Sequence, residues 1–251
     1  MYHSKLLLTL AISAACTSLA NAQKQNNSIQ EVTIIGSQEQ AQKIAGSAHY
    51  ISAEKLQQFA YSDIQRIARE VPGVAIQIED GYGLRPNIGI RGVATERSGR
   101  ITLLEDNVLI APAPYSAPSA YYFPTAGRLS AIEVVKGPAT ITQGPYTIGG
   151  ALNMVSTPIP TEMSGNIVTE AGENSTYRVH ATYGGRTDSG FGFLLETHQW
   201  QSDGFQSIDR GSNDTGLDVE DYTVKLSYAP MNSSHAIELK LQTTDQSSNQ
   251  S

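Results

Sequence analysis

The second half of the sequence alternates apolar and polar residues with a period of two. Segments 176–183, 222–229 and 235–243 show the pattern most clearly. In 222–228 one face is Tyr222, Val224, Leu226 and Tyr228, and the other is Thr223, Lys225 and Ser227. Strands place successive side chains on opposite faces, and tyrosines at both ends of an apolar face are typical of transmembrane barrels. The pattern predicts antiparallel transmembrane strands and leaves a soluble β-sandwich as the alternative.

The spacing of these strands favours the barrel. We expect five strands, at about 165–171, 176–184, 191–200, 221–229 and 235–244. Connections 184–190 and 230–234 are short, whereas 201–220 is long and polar, which fits turns on one side of a membrane and loops on the other. Small barrels already need about eight strands. Residues 158–251 are therefore predicted to be the first strands of an incomplete barrel, and the chain the N-terminal piece of a longer protein.

A small α+β domain is predicted before these strands, at about 50–157. Ser52 can cap a helix over 53–58, and Ser62 with Gln65 forms a capping box for a second helix. The second helix has one apolar face, which consists of Ile64, Ile67, Ala68 and Val71. Strands are predicted at 74–78, 87–93, 101–110 with a turn at Asp106–Asn107, and 131–136. Gly-Pro breakers at 137–138 and 144–145 then frame a tightly turned segment that leads into another strand-like run after Gly149-Gly150.

The N-terminus is predicted to be a secretory signal over 1–22. Lys5 precedes an apolar run of 6–15, and Ala20-Asn21-Ala22 is a small-x-small cleavage site. The run is short of the roughly 20 residues that a membrane anchor needs. Cys16 lies inside the signal and lacks the usual lipoprotein context, so the mature chain is expected to have no thiol.

Composition narrows the function. The formal net charge of −7 and the lack of a basic patch argue against nucleic acid as a partner. The five histidines show no close metal-ligand spacing, so no metal or other cofactor is predicted. Ser52-x-x-Lys55 resembles an acyl-enzyme motif, but its companion motifs are missing. The sequence therefore predicts no enzyme, and a nitrocefin or esterase assay of Ser52→Ala would test this.

Two loops and one short run attract attention. Loop 78–86 is polar and Gly-rich, and loop 111–124 interleaves four prolines with aromatic residues. The second loop is either a ligand-contacting apex or a loop packed on a neighbouring wall. The run 31–35 could add to the sheet edge of a partner, or it could be the domain's own edge strand.

Three motifs in 31–157 resemble those of TonB-dependent outer-membrane receptors. Ile90-Arg91-Gly92 resembles the Ile-Arg-Gly motif, and 132–138 resembles Glu-Val-(Leu/Val)-Arg-Gly-Pro, with Lys136 in place of the usual Arg. Segment 144–155 resembles Tyr-Gly-x-x-(Ala/Ser)-Ile-Gly-Gly-x-Ile-Asn. The ferric dicitrate receptor group looks nearest, through 87–92 and the Ala113-Pro114-Tyr115-x-x-Pro118 loop.

The resemblance implies an α+β plug domain at 50–157 inside a barrel, after a periplasmic segment at 23–49. Glu31, Val32, Thr33, Ile34 and Ile35 would be the TonB box. The implied function is active uptake of a ferric complex across the bacterial outer membrane, with TonB–ExbB–ExbD, the ferric chelate and membrane lipid as partners. Other scarce nutrients, such as cobalamin or a carbohydrate, and a soluble periplasmic binding domain are the alternatives.

The resemblance also suggests site residues. The expected ligand-binding apex comprises Tyr82, Arg85, Tyr115, Tyr121 and Tyr122. Arg91, Glu133 and Lys136 would make charge contacts between the plug and the barrel wall, or ordinary surface pairs. Between positions 79 and 128 the sequence has five arginines and five acidic residues. The charges balance, so no electrostatic field is expected to favour an anionic ligand.

Overall fold

The computed structural model describes residues 33–59, 63–79, 81–110, 122–206, 215–230 and 235–249. The predicted signal 1–22, Glu31, Val32, Tyr115 and Tyr121 lie outside the described residues.

The central sheet of the α+β domain is mixed and has five strands. Its order is β1 (Ser47–Ile51), β6 (Leu129–Lys136), β7 (Gly150–Ser156), β4 (Ile101–Glu105) and β5 (Val108–Leu109). Strands β4 and β7 are parallel, and the other pairs are antiparallel. A separate hairpin-like pair joins β2 (Val74–Gln77) to β3 (Asn87–Ile90). The β4–β5 turn lies at Asp106 and Asn107, both with positive φ, as the sequence predicted.

Helices lie on both faces of this sheet, since Ala41 clusters with Val135 and Ile64 with Val134, which point to opposite faces of β6. The helices are α1 (Gln38–Ala41), α2 (Ala53–Phe59) and α3 (Ile64–Ala68), and 3₁₀ turns follow at Glu96–Ser98, Ala126–Arg128 and Pro138–Gln143. The predicted apolar face of α3 is buried, and it packs in a core whose members all lie between Ile51 and Met154. The α+β domain therefore forms its own apolar core. Burial of each aliphatic side chain in this core stabilises the fold by about 1.5–3 kcal/mol.

The second sheet consists of five long antiparallel strands in sequence order. They are β8 (Ser164–Ala171), β9 (Tyr177–Arg186), β10 (Phe191–Ser202), β11 (Leu217–Tyr228) and β12 (Ile237–Ser248). We call them the strand sheet. All five predicted strands are confirmed. Among the described residues, the end strands β8 and β12 of the strand sheet each pair with a single neighbouring strand.

The two faces of the strand sheet differ in polarity, as the alternation predicted. The inner face, towards the α+β domain, buries polar residues: Glu196, His198, Ser202, Asp221, Thr223, Lys225 and Ser227. The outer face exposes apolar ones: Ile167, Phe191, Leu195, Leu226, Tyr228, Ile237, Leu239 and Leu241. A sheet with an apolar outside and a polar inside is the arrangement of a membrane barrel.

Two local predictions need correction. Helix α3 is capped by Asp63, whose Oδ1 accepts from Gln65 N at 2.7 Å, because a carboxylate one residue after Ser62 is already in the capping position. Strand β1 was missed, since Ser47–Ile51 is too short and too mixed for a period-two pattern; its pairing with β6 comes from tertiary context.

Within the described residues, no helix is long and apolar enough to cross a membrane.

Candidate functional site at the contact of the two sheets

The β4–β5 turn of the α+β domain is held by lysines of the strand sheet. Lys240 Nζ donates to Glu105 Oε1 and to Asp106 Oδ2, both at 2.7 Å, and lies 3.2 Å from Ser156 Oγ. Lys225 Nζ lies 4.0 Å from Asp106 Oδ2. Ser156 Oγ donates to the same oxygen, Asp106 Oδ2, at 2.6 Å. Two carboxylates of one domain therefore meet two ammonium groups of the other.

Arg128 extends this cluster into the α+β domain. Its Nη1 donates to Glu105 Oε1 at 2.7 Å and its Nη2 to the Tyr122 hydroxyl at 2.7 Å, and its side chain is fully buried. Gln242 of β12 reaches the same group, with its amide 2.6 Å from the Tyr122 hydroxyl. A buried charge needs such partners, because desolvation alone would cost several kcal/mol.

The pKa values in the α+β half of this cluster follow from burial and charge. Burial alone would raise the pKa of Glu105, but Arg128 and Lys240 outweigh it and hold the pKa below its usual value. Burial would likewise raise the pKa of Asp106, and Lys225 and Lys240 lower it. Both carboxylates are therefore ionised at neutral pH.

A second polar contact lies on strands β9 and β10. Glu196 Oε1 accepts from Thr157 Oγ1 at 2.6 Å and lies 2.8 Å from His180 Nε2. Thr157 is the residue after β7, so this contact ties the end of the α+β domain to the strand sheet. The His180 and His198 rings, tilted by 55° with their centroids 5.9 Å apart, continue this contact along the inner face.

Glu133 and Lys136 have side-chain partners within residues 33–157, and Arg91 makes a backbone hydrogen bond there. Glu133 accepts from Ile34 N, Ile35 N and Gly36 N at 2.7–3.0 Å. Lys136 Nζ donates to the Pro72 carbonyl at 2.7 Å. Arg91 N donates to the Gly73 carbonyl at 2.8 Å. Glu105 and Asp106, which the sequence pattern did not single out, make charge contacts with the strand sheet.

The expected apex residues divide into three groups. Tyr82 is buried, donates its hydroxyl to the Thr215 carbonyl at 3.1 Å, and packs edge-on against Trp200 and Phe205. Tyr122 is taken up by the Arg128 cluster, and burial raises its pKa. Arg85 is exposed. Tyr82 and Tyr122 are therefore anchored by contacts with neighbouring side chains and main-chain groups, since large aromatic residues gain from burial.

A cavity of about 1220 Å³ lies beside these contacts. Thr33–Gly36 line one part of it, and Glu105, Asp106, Lys240, Gln242 and Tyr122 line another. The N-terminal segment and the ionic cluster therefore share one space. Among the residues that the structure describes, no cluster of His, Cys, Asp and Glu has the geometry of a metal site.

Sequence reasoning missed Glu105, Asp106, Arg128 and Lys240. The sequence contains one indication of this cluster. Lys225 and Lys240 are charged residues on the polar face of strands whose opposite face is apolar. Such residues need a counter-charge from whatever fills the barrel.

Comparisons with known proteins agree with this architecture. Residues 40–151 match the family model of the TonB-dependent Receptor Plug Domain. The chain is 24% identical over 207 residues to a "Vitamin B12 transporter BtuB" of Photobacterium profundum, covering 81% of this chain and 33% of that protein. It is 25% identical over 165 residues to an "Iron-regulated outer membrane virulence protein" of Vibrio cholerae, covering 64% of this chain and 25% of that protein.

Solved structures show the same fold. The ferric citrate transporter FecA in the unliganded form aligns with a TM-score of 0.71 and 23% identity, covering 86% of this chain and 33% of that one. The ferric yersiniabactin uptake receptor FyuA from Yersinia pestis aligns with a TM-score of 0.64 and 22% identity, covering 79% and 31%. The chain spans about a third of the length of the curated relatives with the broadest matches.

Fold and contacts together define a plug domain followed by strands of an incomplete outer-membrane barrel. Residues 40–151 match the plug-domain family of TonB-dependent receptors, and the solved receptors share the fold of the chain. We refer below to the α+β domain as the plug, and the strand sheet lies in the outer membrane.

Proposed function

We propose that this chain forms the plug and first barrel strands of a receptor for TonB-dependent uptake of a ferric complex, such as ferric citrate or a siderophore. The plug closes the barrel and moves to admit the ligand. The observation that carries this proposal is the chemistry of the plug–sheet contact. It consists of ion pairs and hydrogen bonds around Glu105, Asp106 and Lys240, while the plug core is closed separately. Polar contacts between domains permit relative movement more readily than a shared apolar core does.

TonB, with ExbB and ExbD, is the proposed energy-coupling partner. Residues 31–35 are the proposed TonB box, at the end of a periplasmic segment 23–49 that follows the signal 1–22. A β-branched run of this kind can add as a strand to a partner's sheet edge through its main-chain groups. The proposed plug spans 50–157, and the proposed barrel strands begin after it.

The ligand class rests on kinship with iron and vitamin B12 transporters. Tyr82, Arg85, Tyr115, Tyr121 and Tyr122 are the proposed ligand-binding apex, and within it Tyr82 and Tyr122 are anchored by their hydroxyl groups. A cobalamin or carbohydrate receptor is the competing assignment, and it draws on the vitamin B12 transporters among the relatives.

Uptake assays with the full-length receptor test both ligand and coupling. In a host that lacks its own receptors we expect ⁵⁵Fe-citrate or a ⁵⁵Fe-siderophore to accumulate and labelled cyanocobalamin not to. Ile34→Pro removes the backbone N–H of the box and should abolish uptake, whereas Ile34→Ala keeps that N–H and should retain it. If cobalamin alone accumulated, the ligand would be cobalamin and not a ferric complex. If Ile34→Pro retained full uptake, residues 31–35 would not be the TonB box.

A further inference from the structure

The side chain of Glu133 holds the N-terminal segment against the plug. Its Oε2 accepts from Ile34 N at 2.7 Å, and its Oε1 accepts from Ile35 N at 3.0 Å and Gly36 N at 2.7 Å. Asn153 Nδ2 donates to Oε2 at 2.9 Å as the fourth donor. Glu133 is 0% exposed, so one buried carboxylate takes up three consecutive backbone N–H groups.

This arrangement is strong and specific. Hydrogen bonds to a carboxylate are about twice as strong as neutral ones, and burial excludes the water that would compete with them. Asn153 is itself fixed, because its Oδ1 accepts from Asn107 N at 2.9 Å in the turn that Lys240 clamps through Asp106. The cradle for the segment is therefore built into the plug sheet.

The segment is not in the conformation of a strand. Residues 33–36 have no strand assignment, and Gly36 has a φ of +75°. Ile35 is 3% exposed and packs in a small apolar cluster with Ala41 and Val135. Three successive N–H groups that converge on one carboxylate cannot also alternate along the edge of a sheet.

We propose that Glu133, positioned by Asn153, is a latch that holds residues 34–36, at the end of the proposed TonB box, against the plug. The carboxylate and an incoming strand of TonB compete for the same N–H groups of Ile34, Ile35 and Gly36. Strand pairing therefore requires release of the segment from Glu133 and withdrawal of Ile35 from its cluster. This inference rests on the proposed coupling to TonB and adds the group that regulates it.

Hydrogen exchange of the full-length receptor in detergent tests the latch directly. Glu133→Gln keeps the shape of the side chain but presents an NH₂ group to the same donors. We expect the amides of residues 34–36 to exchange at least about tenfold faster, since several charge-assisted bonds are lost. Amides of β6 and β7 should keep their protection and report that the plug remains folded. Glu105→Gln changes another buried carboxylate of the same sheet, on strand β4, and is the matched control that should leave residues 34–36 protected.

A second variant attacks the latch from the segment side. Gly36→Ala leaves Glu133 intact but strains the positive φ and brings a Cβ to 3.1 Å from Thr33 Oγ1, so it should also speed exchange at Ile34 and Ile35. The isolated C-terminal domain of TonB should bind both variants about tenfold more tightly than the wild type. Unchanged exchange in both folded variants, or equal acceleration by Glu105→Gln, would overturn the latch. Faster exchange without any binding of TonB to wild type or variants would support the latch and refute the proposed coupling instead.

Discussion

At the scale of single residues, burial sets how much an ion pair contributes. The Arg128 side chain is fully buried against Glu105 and Tyr122. Arg97 offers a contrast within the same domain, because its pair with Glu79 is largely exposed. An Arg–Glu pair therefore makes a different contribution to stability when it is buried than when it is exposed.

Removing each arginine should reveal that difference. Arg128→Ala leaves Glu105 buried with Lys240 as its remaining cation, and we expect a loss of about 3 kcal/mol in plug stability. Arg97→Ala should cost less than about 1 kcal/mol, since water screens an exposed pair. Native-state exchange of the β4 amides measures both variants. Equal losses would show that burial of the Arg128 pair contributes nothing of its own.

The acidic turn should make plug docking depend on pH. The pKa values of Glu105 and Asp106 are held below their ordinary values of 4.5 and 3.8 in the folded protein. A depressed pKa adds stability that is fully present above the unfolded value and is lost as the pH falls through the folded value. The contact should therefore be constant around neutrality and weaken below the ordinary range of these carboxyls.

Urea unfolding of the receptor between pH 7 and pH 3 measures this dependence. Asp106→Asn should be less stable than wild type at neutral pH, because Lys240 loses a charged partner. Its stability should fall less on acidification, since one titrating group is gone. Parallel curves for variant and wild type would assign the acid sensitivity to other groups.

At the scale of elements, the 3₁₀ turn Ala126–Arg128 is the piece of the plug that fits most tightly against strand β10. A Cβ at Gly127 would lie 3.0 Å from His198 Cδ2 and nearer still to the ring nitrogen Nε2. His198 is buried and cannot swing away into solvent. Glycine is therefore required here by close approach, and the backbone conformation plays no part in the requirement.

Gly127→Ala should accordingly loosen this element. We expect a cost of about 1–3 kcal/mol from overpacking, with faster exchange in 126–130 and on the facing part of β10. Gly172→Ala is a suitable control, because the nearest atom to a Cβ there is Thr176 Cβ at 3.7 Å. A neutral Gly127→Ala would mean that the His198 ring has room to move.

The five strands of the strand sheet and the apolar face of α3 could be predicted, because the period of apolar residues along the sequence coincides with their burial or exposure in the structure. The turn Asp106–Asn107 was predicted from local chemistry, since both residues tolerate positive φ. Long-range contacts were not available in this way. Glu105 and Lys240 are 135 positions apart, and the three N–H groups on Glu133 are 97 to 99 positions away. Charge and spacing along the chain do not encode which distant partner a carboxylate meets, and so the two lysines on polar strand faces remained only a hint.

At the scale of the whole molecule, the two parts bury their apolar residues by opposite rules. The plug directs them inward, to a core between Ile51 and Met154. The strand sheet directs them outward, where Ile237, Leu239 and Leu241 on β12 are each at least half exposed. An apolar face of this extent on a monomeric protein marks contact with lipid or another protein.

This division predicts opposite behaviour of the two parts in water. Residues 33–157, expressed alone, should be a soluble and cooperatively folding monomer, because the core and its sheet are complete within them. Residues 158–251 should aggregate without detergent, because their outer face is apolar and strands β8 and β12 leave main-chain groups unpaired along two edges. Size-exclusion chromatography with light scattering on the two pieces, with and without detergent, provides the measurement. A soluble, monomeric 158–251 would instead favour a sandwich whose outer face tolerates water, and an aggregating 33–157 would show that Lys240 and its neighbours are needed to fold the plug rather than only to hold it.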